Sequence, residues 1–160
     1  MRHPAPLILV TVTRSAGAPA MPDKNALARL FQRAWELALR PAGGGNPRLA
    51  VDVHIVGDAR IAALNVIYLQ QAGPTDVLAF SMGETDPERK ALHLGEIVVN
   101  HEAAKREAAS RRIPVLNELE RYCVHGFLHL LGYEDETTAQ RRAMCRAQEK
   151  VLRSSHSSHS

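Results

Sequence analysis

The stretch Val124-His125-Gly126-Phe127-Leu128-His129-Leu130-Leu131-Gly132-Tyr133-Glu134-Asp135 constrains this chain more than any other. Two histidines stand four residues apart inside an apolar run, a glycine ends the run, and carboxylates follow at once. On an α-helix, positions i and i+4 share a face with Cβ atoms about 5–6 Å apart. Two imidazoles so placed can close on one metal ion, each nitrogen about 2.0–2.1 Å from a zinc. Gly132 supplies the left-handed turn that stops a helix, after which Asp135 or Glu134 folds back as a third ligand. The pattern is that of an open three-ligand metal site at the end of a buried helix.

The rest of the chain must build a scaffold around that helix. With 160 residues, 45% apolar and 23% charged, it fits one soluble domain with one hydrophobic core. No apolar run approaches the ~20 residues of a membrane-spanning helix, and the N-terminus lacks a signal-peptide layout, so the expected location is the cytoplasm, with no membrane partner. Cys123 and Cys145 form no CxxC pair and read as small core residues of helices. Arginine far outnumbers lysine among the twenty basic residues of a chain with net charge +3.

Hydrophobic period orders the elements. Residues 6–14 read as a strand and 15–22 as a loop. Asp23 or Asn25 caps a helix striped by Leu27, Leu30, Phe31, Ala34, Trp35, Leu37 and Leu39, which the turn at 41–47 stops. Residues 49–56 alternate as a half-buried strand, with Asp52 and His54 on its polar side. Gly57-Asp58 starts a short helix carrying Ile61, Leu64, Ile67 and Tyr68. Strands follow at 76–82 and 93–99, separated by a polar loop at 83–90. Asn100 caps a helix over 101–111, the metal-site helix covers 115–131, and the capping box Thr137-x-x-Gln140 opens a last helix ending near Arg153. The order predicts an α/β (α+β) fold, a single domain over 1–153 in which about five helices pack on a mixed, mostly parallel four-stranded sheet. Residues 154–160 read as a disordered tail.

The ligand pattern is H-x3-H-x5-D. Its spacing parallels the H-E-x-x-H-x-x-G-x-x-H pattern of metzincin peptidases, with Asp135 at the third ligand position. Gly126 stands where a peptidase carries its glutamate base, so the chain keeps the metal cradle without the proteolytic base. His54 and His93 fall on strands and read as sheet residues, and His101 falls in the first turn of a helix. Arg141, Arg142 and Arg146 on the last helix, with Arg106, Arg111 and Arg112 on an earlier one, either track a phosphate backbone or form a solvated face with pairs such as Glu107–Arg111.

The central stretch resembles the YbeY family of bacterial endoribonucleases, also described as rRNA maturation factors, whose motif is H-G-x-L-H-L-x-G-Y-D-H. The chain matches it at His125, Gly126, Leu128, His129, Leu130, Gly132 and Tyr133. Two upstream blocks are similar to the same family: Leu64-Asn65-x-x-Tyr68 leading to Pro74-Thr75-Asp76-Val77-Leu78-x-Phe80, and Leu94-Gly95-Glu96-Ile97-Val98. The resemblance implies a compact domain binding one Zn2+ and cleaving single-stranded RNA, with roles in 16S rRNA 3′-end maturation and ribosome quality control on the small subunit. His125 and His129 would act through the bound metal. The family's third metal-binding histidine falls at Asp135, its aspartate at Glu134, and its arginine after the tyrosine at Leu69. Two other readings accompany this one: a non-catalytic ribosome-assembly factor with a structural metal, and a metallopeptidase-like hydrolase.

Overall fold

A computed structural model describes residues 6–18, 21–38 and 48–156. Strand β1 (Leu7–Arg14) leads to helix α1 (Lys24–Leu37), which starts where the Asp23 carboxylate accepts the Ala26 amide at 3.0 Å. The expected turn at 41–47, residue Leu39 and the last four residues of the tail lie outside the described residues. Strand β2 (Arg48–Val56) and helix α2 (Asp58–Leu69) follow, then β3 (Val77–Ser81), β4 (Thr85–Asp86) and β5 (Ala91–Asn100). Three helices end the chain: α3 (His101–Arg111), α4 (Val115–Leu130) and α5 (Thr138–His156).

The sheet runs β1-β2-β5-β3, with β4 paired to β5. β1, β2 and β5 are parallel, while β3 and β4 are antiparallel to β5. The expected mixed sheet is therefore present, with the two residues of β4 as an additional strand inside the segment read as a polar loop. Thr85 and Asp86 carry no apolar alternation that periodicity detects. What shapes this hairpin is the Asp86 carboxylate, which accepts the amides of Glu88 and Arg89 and the Arg89 guanidinium.

One face of the sheet is covered by α1 and α4, and α5 packs on both helices. Val51, Val53 and Ile55 of β2, Ile97 and Val99 of β5, and Phe127 and Leu128 of α4 are fully buried there or very nearly so. Phe31 of α1 stacks on Phe127 with ring centroids 4.4 Å apart. Side chains alternate along a strand, so Val98 and Leu78 face the other way, where they meet Ile61 of α2. Helix α2 covers that face only at one end. Ile67 and Tyr68, also carried by this helix, are 66% and 62% exposed.

The caps of the later helices follow the sequence. The Asn100 side chain accepts the amides of Glu102 and Ala103. Thr137 and Gln140 form the reciprocal capping box, Gln140 N–H to Thr137 Oγ1 at 3.0 Å and Thr137 N–H to Gln140 Oε1 at 2.9 Å. Helix α5 continues to His156, beyond the expected end near Arg153. Cys123 is buried as expected, but Cys145 is exposed on α5.

Candidate metal centre

Helix α4 is pressed onto the sheet through Gly126. A Cβ built on that glycine would lie 2.6 Å from Ile97 Cγ2 and 3.2 Å from Val77 Cγ2. Only hydrogen fits there, so the helix approaches β5 and β3 closely and the adjacent His125 is carried to the edge of β3. The same contact excludes any side chain at the position where a zinc peptidase holds its glutamate.

The end of α4 is shaped by Gly132 at φ +102°, in the region where a side chain is strained. The Tyr133 amide turns back to the Leu128 carbonyl at 3.1 Å and the Gly132 amide to the His129 carbonyl at 3.0 Å, which satisfies the last carbonyls of the helix. The reversal carries residues 133–136 past the histidines. Arg141 then fixes this segment by donating from Nη1 to the carbonyls of Asp135 at 3.2 Å and Glu136 at 3.0 Å.

His125, His129 and Asp135 converge, one ligand atom from each lying within 4.8 Å of the others. His125 Nε2 and His129 Nε2 are 3.2 Å apart. Asp135 Oδ2 is 3.3 Å from His129 Nε2 and 3.9 Å from His125 Nε2. A tetrahedral ion with bonds of about 2.0–2.1 Å separates its ligand atoms by about 3.3–3.4 Å, so the spacing fits such an ion with a small adjustment at His125. Glu134, the other acid of the stretch, accepts a hydrogen bond from Gln140 Nε2 at 3.0 Å, which turns its carboxylate to the start of α5.

Protonation points the same way. His129 Nδ1 lies 3.0 Å from the Tyr133 carbonyl, which can only accept, so Nδ1 is the donor there and Nε2 is the nitrogen left to offer a lone pair to a metal ion. His125 Nδ1 lies 3.0 Å from Gln148 Oε1 on α5, which holds that ring the same way. Burial, aided by the neighbouring His129, pushes the His125 pKa below its ordinary value, against the opposing effect of the hydrogen bond that His125 donates to Gln148. Two ring lone pairs and a carboxylate oxygen therefore face one point. Without a cation they repel; with one they are satisfied. The donor set, and the hydrogen bonds behind both rings, match the outer-shell pattern of metal-binding histidines.

A cavity of about 200 Å3 adjoins His125 and is lined by Asp76, Val77, Arg121, Tyr122 and Gln148. Of these, the sequence reading singled out only the block containing Asp76. Arg121 was legible in principle, since it precedes His125 by four residues. Gln148 was not, because it lies 23 residues away on a different helix. Burial, reinforced by Asp76 and Glu118, raises the Tyr122 pKa, so its hydroxyl stays protonated.

The other sequence candidates lie elsewhere. Arg111 donates to Glu118 at 2.8 Å rather than to Glu107, and Arg106 forms a fork on Asp58 at 2.8 and 3.0 Å. Arg112, with φ 57°, ends α3. Arg142 and Arg146 are exposed and make no ion pair among the described residues. His54 bridges Thr13 at 2.7 Å and Glu96 at 2.9 Å, and His93 lies 3.1 Å from Asp52, so both are sheet residues. His101 is buried in the first turn of α3. Leu69 is half exposed. Arg60 lines a separate groove of about 630 Å3 with His54, Tyr68, Phe80 and Glu96, on the sheet face opposite α4.

Residues 15–156 match the sequence profile of the family described as Endoribonuclease YbeY. The chain is 37% identical over 144 residues to the Endoribonuclease YbeY of Anaeromyxobacter sp. (strain Fw109-5), covering 90% of this chain and 71% of that protein. It is 36% identical over 146 residues to the one from Pelotomaculum thermopropionicum, covering 89% and 94%. With the Geobacillus kaustophilus protein of the same name, identity is 38% over 135 residues, covering 80% and 83%. The solution structure of TM1509 from Thermotoga maritima superposes with a TM-score of 0.54 at 25% identity, covering 96% of this chain and 94% of that one. On the match of profile, relatives and fold, the chain belongs to the Endoribonuclease YbeY family.

Proposed function

We propose that this chain is a metal-dependent endoribonuclease whose ion, zinc, is held by His125, His129 and Asp135. The observation that carries the reading is the convergence of three lone-pair donors within 4.8 Å, with both rings locked by hydrogen bonds from behind. A divalent ion bound there supplies a water of lowered pKa and a Lewis acid for the phosphoryl oxygen. The chain's own groups do the rest. Gln148 and the Tyr133 carbonyl orient the imidazoles, and Arg141 holds the backbone of Asp135. Tyr122, protonated in the adjoining cavity, presents an O–H for hydrogen bonding. Asp76 is the one carboxylate lining that cavity and is the group placed to take a proton from the attacking oxygen.

The substrate assigned by family membership is RNA, and the cell role we assign is cleavage of single-stranded rRNA in the cytoplasm, at the 16S 3′ end and in ribosome quality control. Of the arginines considered for the backbone, exposed Arg142, Arg146 and Arg112 suit phosphate contacts. Arg141 and Arg111 are committed to carbonyls and to Glu118. A peptidase reading has no support at Gly126, where a base cannot be accommodated.

The test is incubation of the purified protein with a single-stranded rRNA fragment. Internal cuts are expected that disappear with chelator and in His125→Ala. Cutting that persists in both contradicts the proposal. A metal-loaded protein that binds the fragment without cutting it supports an assembly factor instead.

A further inference from the structure

RNA carries one negative charge per phosphate, and the cavity beside His125 already holds the Asp76 carboxylate. Such a site needs a cation, and among the residues lining the cavity beside His125 the one basic side chain is Arg121. Arg121, His125 and His129 are spaced i, i+4 and i+8 on α4, so they share one helix face. The guanidinium thus stands one turn before the first histidine, in the same cavity.

Its present partners leave part of it unused. Nη1 donates to Glu149 on α5. Nε is buried, has no hydrogen-bond acceptor, and lies 3.4 Å from Glu118 Oε1. Glu118 is only 1% exposed and is already held by Arg111 at 2.8 Å. An arginine has five N–H donors in a planar fork, and the two carboxylates hold this one rigidly without saturating it. A buried N–H with no acceptor is unfavourable. A phosphate oxygen entering the cavity finds an arginine already oriented to receive it.

We infer that Arg121 is a phosphate-binding residue that anchors the RNA strand beside the metal centre, a role that rests on the endoribonuclease reading above. The alternative is a purely structural arginine tying α4 to α5 through Glu149.

The experiment uses the full chain with its metal and a fluorescein-labelled single-stranded RNA, with stopped-flow anisotropy reading binding ahead of cleavage. Arg121→Gln is expected to weaken binding about tenfold and to reduce the slope of log Kd against log salt by about 0.7, the value for one lost contact on a single strand. Arg121→Lys restores the slope, with affinity within about threefold of wild type. Glu149→Gln, which frees the guanidinium, is expected to tighten binding, and the gain should vanish when combined with Arg121→Gln. Wild-type affinity and salt slope in Arg121→Gln overturn the inference, as does a Glu149→Gln gain that does not depend on Arg121. Should Arg121→Gln fail to fold, Glu149→Gln and Arg121→Lys decide alone: unchanged binding in the first, or a lost salt slope in the second, overturns it. Arg121-dependent binding without cleavage would leave this inference standing and refute the endoribonuclease reading. Cleavage that is indifferent to Arg121 would do the reverse.

Discussion

Gly126→Ala sets two physical effects of opposite sign against each other. Helix propensity alone favours alanine over glycine in a helix interior by about 1 kcal/mol. The packing opposes it. The new methyl would sit 2.6 Å from Ile97 Cγ2, where ordinary contact begins at 3.4 Å, so about 0.8 Å must be found. Ile97 is fully buried on β5, a strand paired with β2, β3 and β4, so neither the side chain nor the strand has room to retreat. Overpacking of this kind costs about 1–3 kcal/mol, sometimes more. With a second contact at 3.2 Å to Val77, the cost falls in the upper part of that range. The expected net effect is destabilisation by about 1–2 kcal/mol, or about 2–8 °C in Tm for a domain of this size. Urea melts with an unchanged m-value are the assay. Combining it with Ile97→Ala should give a favourable coupling of about 0.5–3 kcal/mol, since the clash is removed. A Gly126→Ala protein as stable as wild type, or more so, would show that α4 does not rest on the sheet through this residue.

Two further outcomes follow from the hydrogen bonds. Gln148→Ala removes the partner of His125 Nδ1 and is expected to weaken zinc affinity about 10–100-fold with little change in Tm of the metal-free protein, measured by competition with a chromogenic chelator. Asp58 has its pKa lowered from 3.8 to about 2, first by the Arg106 hydrogen bond and then by that from Asn100. A depressed carboxyl contributes stability that is present above pH 3.8 and lost as the pH falls through about 2. Denaturant melts at pH 2.5 and pH 5 should therefore differ less in Arg106→Gln than in wild type.

Much of this molecule was legible in its sequence where one residue type has one local physical use. Asn100 and the Thr137–Gln140 box had to cap helices, and their bonds are present. The pair His125–His129 needed only helical geometry to share a face. What escaped was long-range. The choice of Asp135 over Glu134 depends on Gln140 drawing the Glu134 carboxylate away and on Arg141 holding the loop. The partner of Arg111 is seven residues on in the next helix, not four residues back in its own. Ile67 and Tyr68 are carried by α2 together with Ile61, yet only Ile61 is buried, a difference that the helix's composition does not show. Gly126 was read as the loss of a catalytic base; the structure shows it as the point of closest approach between helix and sheet.

The metal cradle proposed for this chain is His125, His129 and Asp135. Metal content per chain, measured by mass spectrometry on protein purified without added chelator, tests it most directly. Wild type and Glu134→Gln are expected to retain about one zinc, while His125→Ala, His129→Ala and Asp135→Ala lose it. Zinc at the wild-type level in folded Asp135→Ala, or its loss in Glu134→Gln alone, would contradict the account.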